Sequence, residues 1–252
     1  MAALLWDVDG TLAETERDGH RVAFNLAFEA RGLDWHWSPA RYGELLSVVG
    51  GRERLLADMA TRVDAPPEPL ACAALAAELH AIKNERYAEL VRQGRIPLRA
   101  GVAALMEQAH TAGLAQAVVT TTSRVNVDAL FGVHFGPGWQ DRFAAVVCGE
   151  DVRRKKPDPE AYAVALARLG LPAARTLALE DSPPGLAAAR AAGVPVLLVR
   201  SRYFADGDAT GALASGPGLD RRHGWRPAPR PGAGAIGLAD LVQWHAGHPA
   251  AL

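Results

Sequence analysis

The chain contains few of the residues that mark disulfide-rich, nucleic-acid-binding or membrane proteins. Its 252 residues include two cysteines, Cys72 and Cys148, which lie far apart and match no metal-binding spacing. We therefore expect a reducing, cytoplasmic location. A net charge of −1 gives no electrostatic signal for nucleic acid or a membrane surface. No apolar run approaches the ~20 residues needed to span a bilayer, and no basic region precedes the first apolar stretch, so we expect no signal peptide.

Lysine is scarce as well. Of 27 basic residues only three are lysine, namely Lys83, Lys155 and Lys156. Arginine replaces lysine readily on a surface, but not where a compact point charge is needed. Each lysine is therefore a candidate for a specific role, although chance under a biased composition explains at least one of them.

Short apolar segments alternate with helical patterns over most of the chain. The predicted strands are AALLWD, LAQAVVT, AAVVC, TLALE and VPVLLV. Strands that alternate with helices predict an α/β fold with a Rossmann-like parallel sheet. Residues 17–93 show only helical patterns, which indicates an inserted all-helical domain. We predict a core domain of residues 1–13 and 97–252 and a helical cap domain of residues 14–96. We predict that the Gly/Pro/Arg-rich tail after Arg200 forms an irregular loop before a last helix.

Chemically reactive side chains follow the predicted strands. Asp7 and Asp9 stand two residues apart and therefore point the same way. Thr120 ends the second strand, and Glu180 and Asp181 end the fourth. Because the carboxyl ends of parallel strands lie along one edge of a sheet, these groups are expected to converge there.

Four carboxylates at one edge favour Mg²⁺, which prefers oxygen ligands, while lysine and hydroxyl groups favour a phosphate. Each segment alone has a structural explanation. A threonine run suits a strand, KKPDP suits a helix start and EDSPPG suits a turn with a helix cap. Their joint occurrence, in this order at successive strand ends, favours a shared active site.

The order DVDGT, Thr120, Lys156-Pro157 and LEDS resembles the haloacid dehalogenase (HAD) superfamily of phosphohydrolases, over about residues 2–200. The helical insert directly after DVDGT resembles the cap of the β-phosphoglucomutase-like branch. The segments AETERDGHRVAFN, YGELLSVVGGRERL, KKPDPEAY and LEDSPPGLAAA resemble CbbY-type proteins. The resemblance implies a HAD core with an inserted helical cap. It also implies ketopentose bisphosphate substrates, such as xylulose 1,5-bisphosphate, a by-product of Rubisco catalysis.

The resemblance also implies roles for individual residues. Asp7 corresponds to the nucleophile that becomes an aspartyl phosphate, and Asp9 to the general acid and base, whose backbone carbonyl also binds Mg²⁺. Thr120 and the amide of Thr121 correspond to the phosphate-holding motif. Lys156, which directly precedes Pro157, corresponds to the lysine that offsets charge on Asp7. The predicted metal ligands are Asp7, Asp9, Glu180 and Asp181.

The cap is expected to select the substrate, since a bisphosphate needs a second anion site. Lys83 corresponds in position to a cap lysine of the β-phosphoglucomutase branch. Glu14 and Thr15 lie at the cap hinge. The other candidate substrate-binding residues are Glu16, His20, Arg52, Arg54, Thr121, Thr122, Ser123, Arg124 and Asn126. Surface solvation, helix capping or, for His20, packing at the domain seam would also explain these residues.

Three functions are consistent with the sequence. The first is a Mg²⁺-dependent sugar-phosphate phosphatase of CbbY type, acting as a monomer on a small molecule. The second is a β-phosphoglucomutase-type phosphomutase, which would share every core residue. The third is a non-enzymatic phospho-acceptor signalling domain, although such domains are about half this length and have no helical insert. The second aspartate, Asp9, favours an oxygen leaving group, because a departing halide needs no proton.

Overall fold

The computed structural model describes residues 1–247, and their strands form one six-stranded parallel sheet in the order β3-β2-β1-β4-β5-β6. This confirms the predicted parallel α/β architecture. The register places Trp6 of β1 opposite Val118 of β2 and Leu179 of β4, so the three strands end side by side. The strands are β1 Ala3–Trp6, β2 Ala115–Val119, β3 Ala145–Val147, β4 Thr176–Glu180, β5 Val196–Val199 and β6 Ala214–Gly216.

Helices cover both faces of the sheet. In β1, Leu4 and Trp6 point to one apolar layer and Leu5 to the other, and all three are fully buried. Burial on both faces explains why the strand sequences are almost uniformly apolar. On the first face lie α5 Val102–Thr111, α6 Arg124–Phe135 and α9 Leu238–Ala246, and on the second α7 Glu160–Leu169 and α8 Pro183–Ala191.

Between β1 and α5 the chain is helical, as predicted, and no strand occurs between residues 17 and 93. A separate aromatic cluster that includes Phe24, Phe28 and Trp37 forms the core of this insert. The two connections to the sheet lie together, because Ala13 pairs with Leu98 in an antiparallel bridge. The insert contains α1 Arg21–Ala30, α2 Pro39–Leu45, α3 Gly51–Met59 and α4 Pro69–Arg92.

The prediction of an irregular loop after Arg200 was wrong in part. Ala214–Gly216 form β6, which pairs in parallel with β5. Trp225 is also buried, and its ring stacks on that of Trp244 at 4.9 Å between centroids. A three-residue edge strand of sequence ASG carries no apolar alternation, so its sequence does not reveal it. No helix within residues 1–247 is long and apolar enough to cross a membrane.

Candidate active site

A cavity of about 410 Å³ lies between the carboxyl edge of the sheet and the helical insert. Asp7 enters it directly after β1, and Asp181 directly after β4. Most of the site residues predicted from the sequence lie in the cavity wall. Those residues are Asp7, Asp9, Glu16, His20, Arg52, Arg54, Lys83, Thr121, Thr122, Ser123, Asn126, Lys156 and Asp181.

Lys156 connects the ends of the three central strands. Its Nζ lies 2.7 Å from Asp7 Oδ1 and 2.6 Å from Glu180 Oε1, and it donates a third hydrogen bond to the Val119 carbonyl at 2.8 Å. The lysine is 5% exposed. A buried ammonium requires such compensation, because an unpaired charge there would be costly. The structure thus joins residues that lie up to 149 positions apart in the sequence.

Asp7, Glu180 and Asp181 offer oxygen atoms that all lie within 4.8 Å of one another. Burial and the charge of Glu180 raise the pKa of Asp7 to about 8. Burial and the charges of Asp7 and Glu180 raise the pKa of Asp181 well above its usual value. Lys156 alone does not balance three carboxylates. A hard divalent cation fits both the oxygen donors and the excess negative charge.

Glu180 is held from two sides. Its Oε1 accepts hydrogen bonds from Lys156 and, at 2.5 Å, from the hydroxyl of Tyr162. Its Oε2 is buried and has no hydrogen-bond partner among residues 1–247. A Cβ at Gly185 would lie 1.9 Å from Oε2, so only glycine fits at this position.

The carboxylate of Asp9 contacts the insert and does not belong to the three-acid group. Its Oδ1 accepts a hydrogen bond from Thr15 at 2.6 Å and lies 2.9 Å from His20 Nε2. Although burial opposes ionisation, the charges of His20 and Lys83 and these hydrogen bonds lower the pKa of Asp9 to about 2. The predicted metal contact through the Asp9 backbone carbonyl stays a prediction.

Residues of the insert form the opposite wall of the cavity. Tyr42 donates a hydrogen bond to Glu16 Oε2 at 2.5 Å and accepts one from Arg54 Nη1 at 2.6 Å. Arg54 also lies 3.6 Å from Glu16. Glu16 and Arg54 line the cavity, and because Glu16 already balances the charge of Arg54, this guanidinium is not a free anion site.

Lys83 has a different environment. Its ammonium lies 5.4 Å from the ring centre of Phe24 and 5.3 Å from that of Tyr87, and no carboxylate within residues 1–247 lies at ion-pair distance from it. Burial lowers its pKa to about 8, against the opposing charges of Asp9 and Glu16. A buried lysine in a cavity wall without an acidic partner suits an anionic ligand.

Three of the predicted residues do not line the cavity: Thr120, Arg124 and Glu180. Thr120 lies beneath it and accepts a hydrogen bond from the amide of Thr122 at 3.2 Å. The backbone amide of Arg124 is bound to Glu150 at 3.0 Å. Arg124 begins α6 outside the wall, and its predicted role in substrate binding stays a prediction.

Several residues of the site were not predicted. Tyr162 stands six positions after Lys156, and the KKPDP helix start could have placed it near that lysine. Tyr42 and His80, which lines the cavity, reach the site by tertiary packing alone, so no local pattern marks them. Lys155, next to the catalytic candidate Lys156, binds Glu53 of α3 at 2.7 Å and so connects the sheet edge to the insert.

Comparison with known proteins shows the family to which the chain belongs. The haloacid dehalogenase-like hydrolase family matches residues 1–193. The plasmid-encoded protein CbbY of Cupriavidus necator is 45% identical over 98% of both chains. Protein CbbY of Rhodobacter capsulatus is 45% identical over 84% of this chain and 91% of its own.

Comparison with solved structures shows the same relationship to CbbY proteins. The crystal structure of CbbY from Rhodobacter sphaeroides in complex with phosphate has a TM-score of 0.78 and 42% identity, and covers 84% of this chain and 92% of its own. A mutant of the same protein, solved in complex with xylulose-(1,5)bisphosphate, matches equally well. The chain therefore belongs to the haloacid dehalogenase-like hydrolase family and is a phosphatase of the CbbY type within it.

Proposed function

We propose that this phosphatase hydrolyses a sugar bisphosphate, namely xylulose 1,5-bisphosphate or a related ketopentose bisphosphate. The observation that carries the proposal is the distribution of charge in the cavity. The sheet side of the cavity holds Asp7, Lys156 and the acidic group, which suit the reacting phosphate with a metal. The insert contributes Arg52 of α3 and Lys83 of α4 to the wall, and these cations suit a second phosphate. The bisphosphate complex of the Rhodobacter sphaeroides relative supports this substrate class.

The proposed reaction has two steps. A carboxylate oxygen of Asp7 attacks phosphorus, the bond from phosphorus to the sugar oxygen breaks, and Asp9 gives that oxygen a proton. Water then attacks the aspartyl phosphate and gives its proton to Asp9, which releases phosphate and restores Asp7. A covalent intermediate divides one difficult displacement into two easier ones.

The surrounding residues act by position and charge. Lys156 holds Asp7 in place and offsets charge on the transferring group. Thr121 and Thr122 line the cavity, and the Thr121 amide and the Thr122 hydroxyl would bind phosphate oxygens there. Asp7, Asp181 and the Asp9 carbonyl would hold Mg²⁺, which supplies further charge neutralisation when bound. Glu180 belongs to the same acidic group, and its Oε1 also holds Lys156 in place.

We further propose that residues 14–96 form the cap that excludes water and selects the substrate. The contacts of Lys155 with Glu53 and of Asn126 with Asn84 cross the cavity and support this role. A monomer without nucleic-acid partners remains our expectation.

Metal removal should inactivate the enzyme. Chelation by EDTA is expected to abolish phosphate release, and added Mg²⁺ should restore it, because three buried carboxylates and one lysine leave uncompensated negative charge. Asp181→Asn should raise the Mg²⁺ concentration needed for half-maximal activity by roughly 10–100-fold. A metal titration of phosphate release measures both effects. Full activity in EDTA would contradict the proposed metal site.

Substrate class is tested by measuring phosphate release from sugar mono- and bisphosphates at equal concentrations. We expect the highest kcat/KM for xylulose 1,5-bisphosphate. Isomerisation of glucose 1-phosphate is measured in parallel, because a phosphomutase would transfer the phosphoryl group back to a sugar. Isomerisation faster than hydrolysis would favour the phosphomutase and would overturn the proposal.

Lys83→Met should weaken bisphosphate binding and stabilise the fold. We expect KM for bisphosphates to rise at least about tenfold, because one charge-assisted contact is lost. KM for monophosphates should change little. Because the folded pKa of Lys83 is lowered from 10.5 to about 8, the unfolded chain binds more protons between these two pH values, and the resulting loss of stability is complete below about pH 8. The wild type is therefore penalised at neutral pH, and Lys83→Met should have a higher Tm there.

The control for this variant is Arg86→Met, which removes a half-exposed cation from the same helix outside the cavity. It should change neither KM nor the Tm appreciably. An equal effect of Lys83→Met on KM for mono- and bisphosphates would show that Lys83 does not bind the second phosphate.

A further inference from the structure

Arg99 lies where the chain returns from the insert to the core, and its side chain reaches four backbone carbonyls. Its guanidinium donates to the carbonyl of Gly10, to Val199 at 3.1 Å, to Arg200 at 2.7 Å and to Pro217 at 3.0 Å. The five donors of a planar guanidinium can make such a set of bonds, whereas a lysine ammonium has three donors. The Arg99 side chain is 12% exposed.

Two of these carbonyls belong to the segments that flank Asp181. Gly10 adopts φ +84°, and a Cβ there would lie 2.0 Å from Asp181 Oδ2 and 3.0 Å from Ser201 Cβ. The Arg200 carbonyl belongs to the peptide bond that leads into Ser201. The same guanidinium therefore fixes two backbone segments that lie next to the Asp181 carboxylate. Gly10 also follows Asp9 directly, so its position sets the direction of the Asp9 carbonyl.

The other contacts of Arg99 connect the site to the hinge and to the C-terminal segment. Arg99 Nε lies 3.7 Å from Glu14, whose second carboxylate oxygen accepts a hydrogen bond from the Arg202 amide at 3.3 Å. The Arg99 amide donates to the Leu12 carbonyl at 2.8 Å. Pro217 follows β6 directly, in the segment beyond the family match at residues 1–193.

We propose that Arg99 is a positioning residue for the metal site: by fixing the Gly10 and Arg200 carbonyls it holds Asp181 and the Asp9 carbonyl in the arrangement that binds the cation. The segment after β5 therefore helps to hold the active site in place. This inference rests on the metal-dependent reaction proposed above. Residues that orient metal ligands typically change metal affinity 10–100-fold when they are replaced.

The test is calorimetric titration of the purified, substrate-free protein with Mn²⁺, with the Tm measured alongside. Arg99→Ala should bind Mn²⁺ 10–100-fold more weakly than the wild type. Arg99→Lys keeps the charge but cannot reach four carbonyls, so it should lose affinity in the same direction and to a smaller extent. If Arg99→Ala does not fold, Arg99→Lys decides the question alone.

Arg222→Ala is the matched control. Arg222 is 17% exposed, binds the carbonyls of Ala235 and Arg230 at 3.0 and 2.8 Å, and pairs with Asp240 far from the cavity. It should lower the Tm without changing Mn²⁺ affinity. Wild-type affinity in the Arg99 variants, or an equal loss in Arg222→Ala, would overturn the inference. A wild type that binds no Mn²⁺ would instead contradict the proposed function.

Discussion

Asp7→Asn is expected to lower kcat for sugar bisphosphates by at least about 10⁴-fold, the scale seen when a covalent nucleophile is removed. An amide oxygen is a poor nucleophile toward phosphorus, so no phosphoenzyme should form. The measurement is phosphate release, together with mass spectrometry of the protein after rapid quenching. The wild type should carry one added phosphoryl group and the variant none.

The fold of this variant should remain intact. Asn has the size of Asp, and its Oδ1 can still accept the hydrogen bond from Lys156. Because the folded pKa of Asp7 is raised to about 8, the folded state loses stability as the pH rises from about 4 to about 8, and the loss remains above pH 8. In metal-free buffer at pH 7 the Tm of Asp7→Asn should therefore equal or exceed that of the wild type.

Asp18→Asn provides the control for a lost acidic charge, because Asp18 is half-exposed and lies outside the cavity. Its kcat should match that of the wild type. Phosphate release by Asp7→Asn above 1% of the wild-type rate, with the protein folded, would contradict a covalent mechanism through Asp7.

The position of the reactive cluster could be predicted from the sequence because it depends on sheet geometry alone. Asp7, Lys156 and Asp181 each follow a strand or lie beyond its carboxyl end, and parallel strands bring those ends together. The alternation of strands with helices is equally local, so the core architecture was predictable in the same way. The insert could be recognised as helical from apolar spacing within it.

Other features depend on contacts that no local pattern contains. The hydrogen bonds of Asp9 to Thr15 and His20 require the chain to fold back after DVDGT. Tyr42 meets Arg54 only after α2 and α3 have packed together. Likewise, the role of Arg99 depends on carbonyls from four segments, which carry no residue-specific signal.

Asp9→Asn is expected to slow both steps on sugar phosphates, each by roughly 10²–10⁴-fold. In the described structure Asp9 is ionised at neutral pH, because its pKa is about 2. It is therefore ready to accept the proton of the attacking water in the second step. Giving a proton in the first step requires that Asp9 is protonated beforehand, and the negative charge of a bound phosphate favours this by raising its pKa.

A substrate whose leaving group needs no proton separates the two steps. With p-nitrophenyl phosphate, the first step of Asp9→Asn should remain fast, since nitrophenolate departs unprotonated, while hydrolysis of the aspartyl phosphate should remain slow. We expect a rapid release of one nitrophenolate per active site, followed by slow turnover, in stopped-flow absorbance. Thr15→Val keeps the Asp9 carboxylate but removes its 2.6 Å hydrogen bond, and should show no such burst. Equal slowing of both steps on this substrate would mean that Asp9 acts by holding the site together rather than by transferring protons.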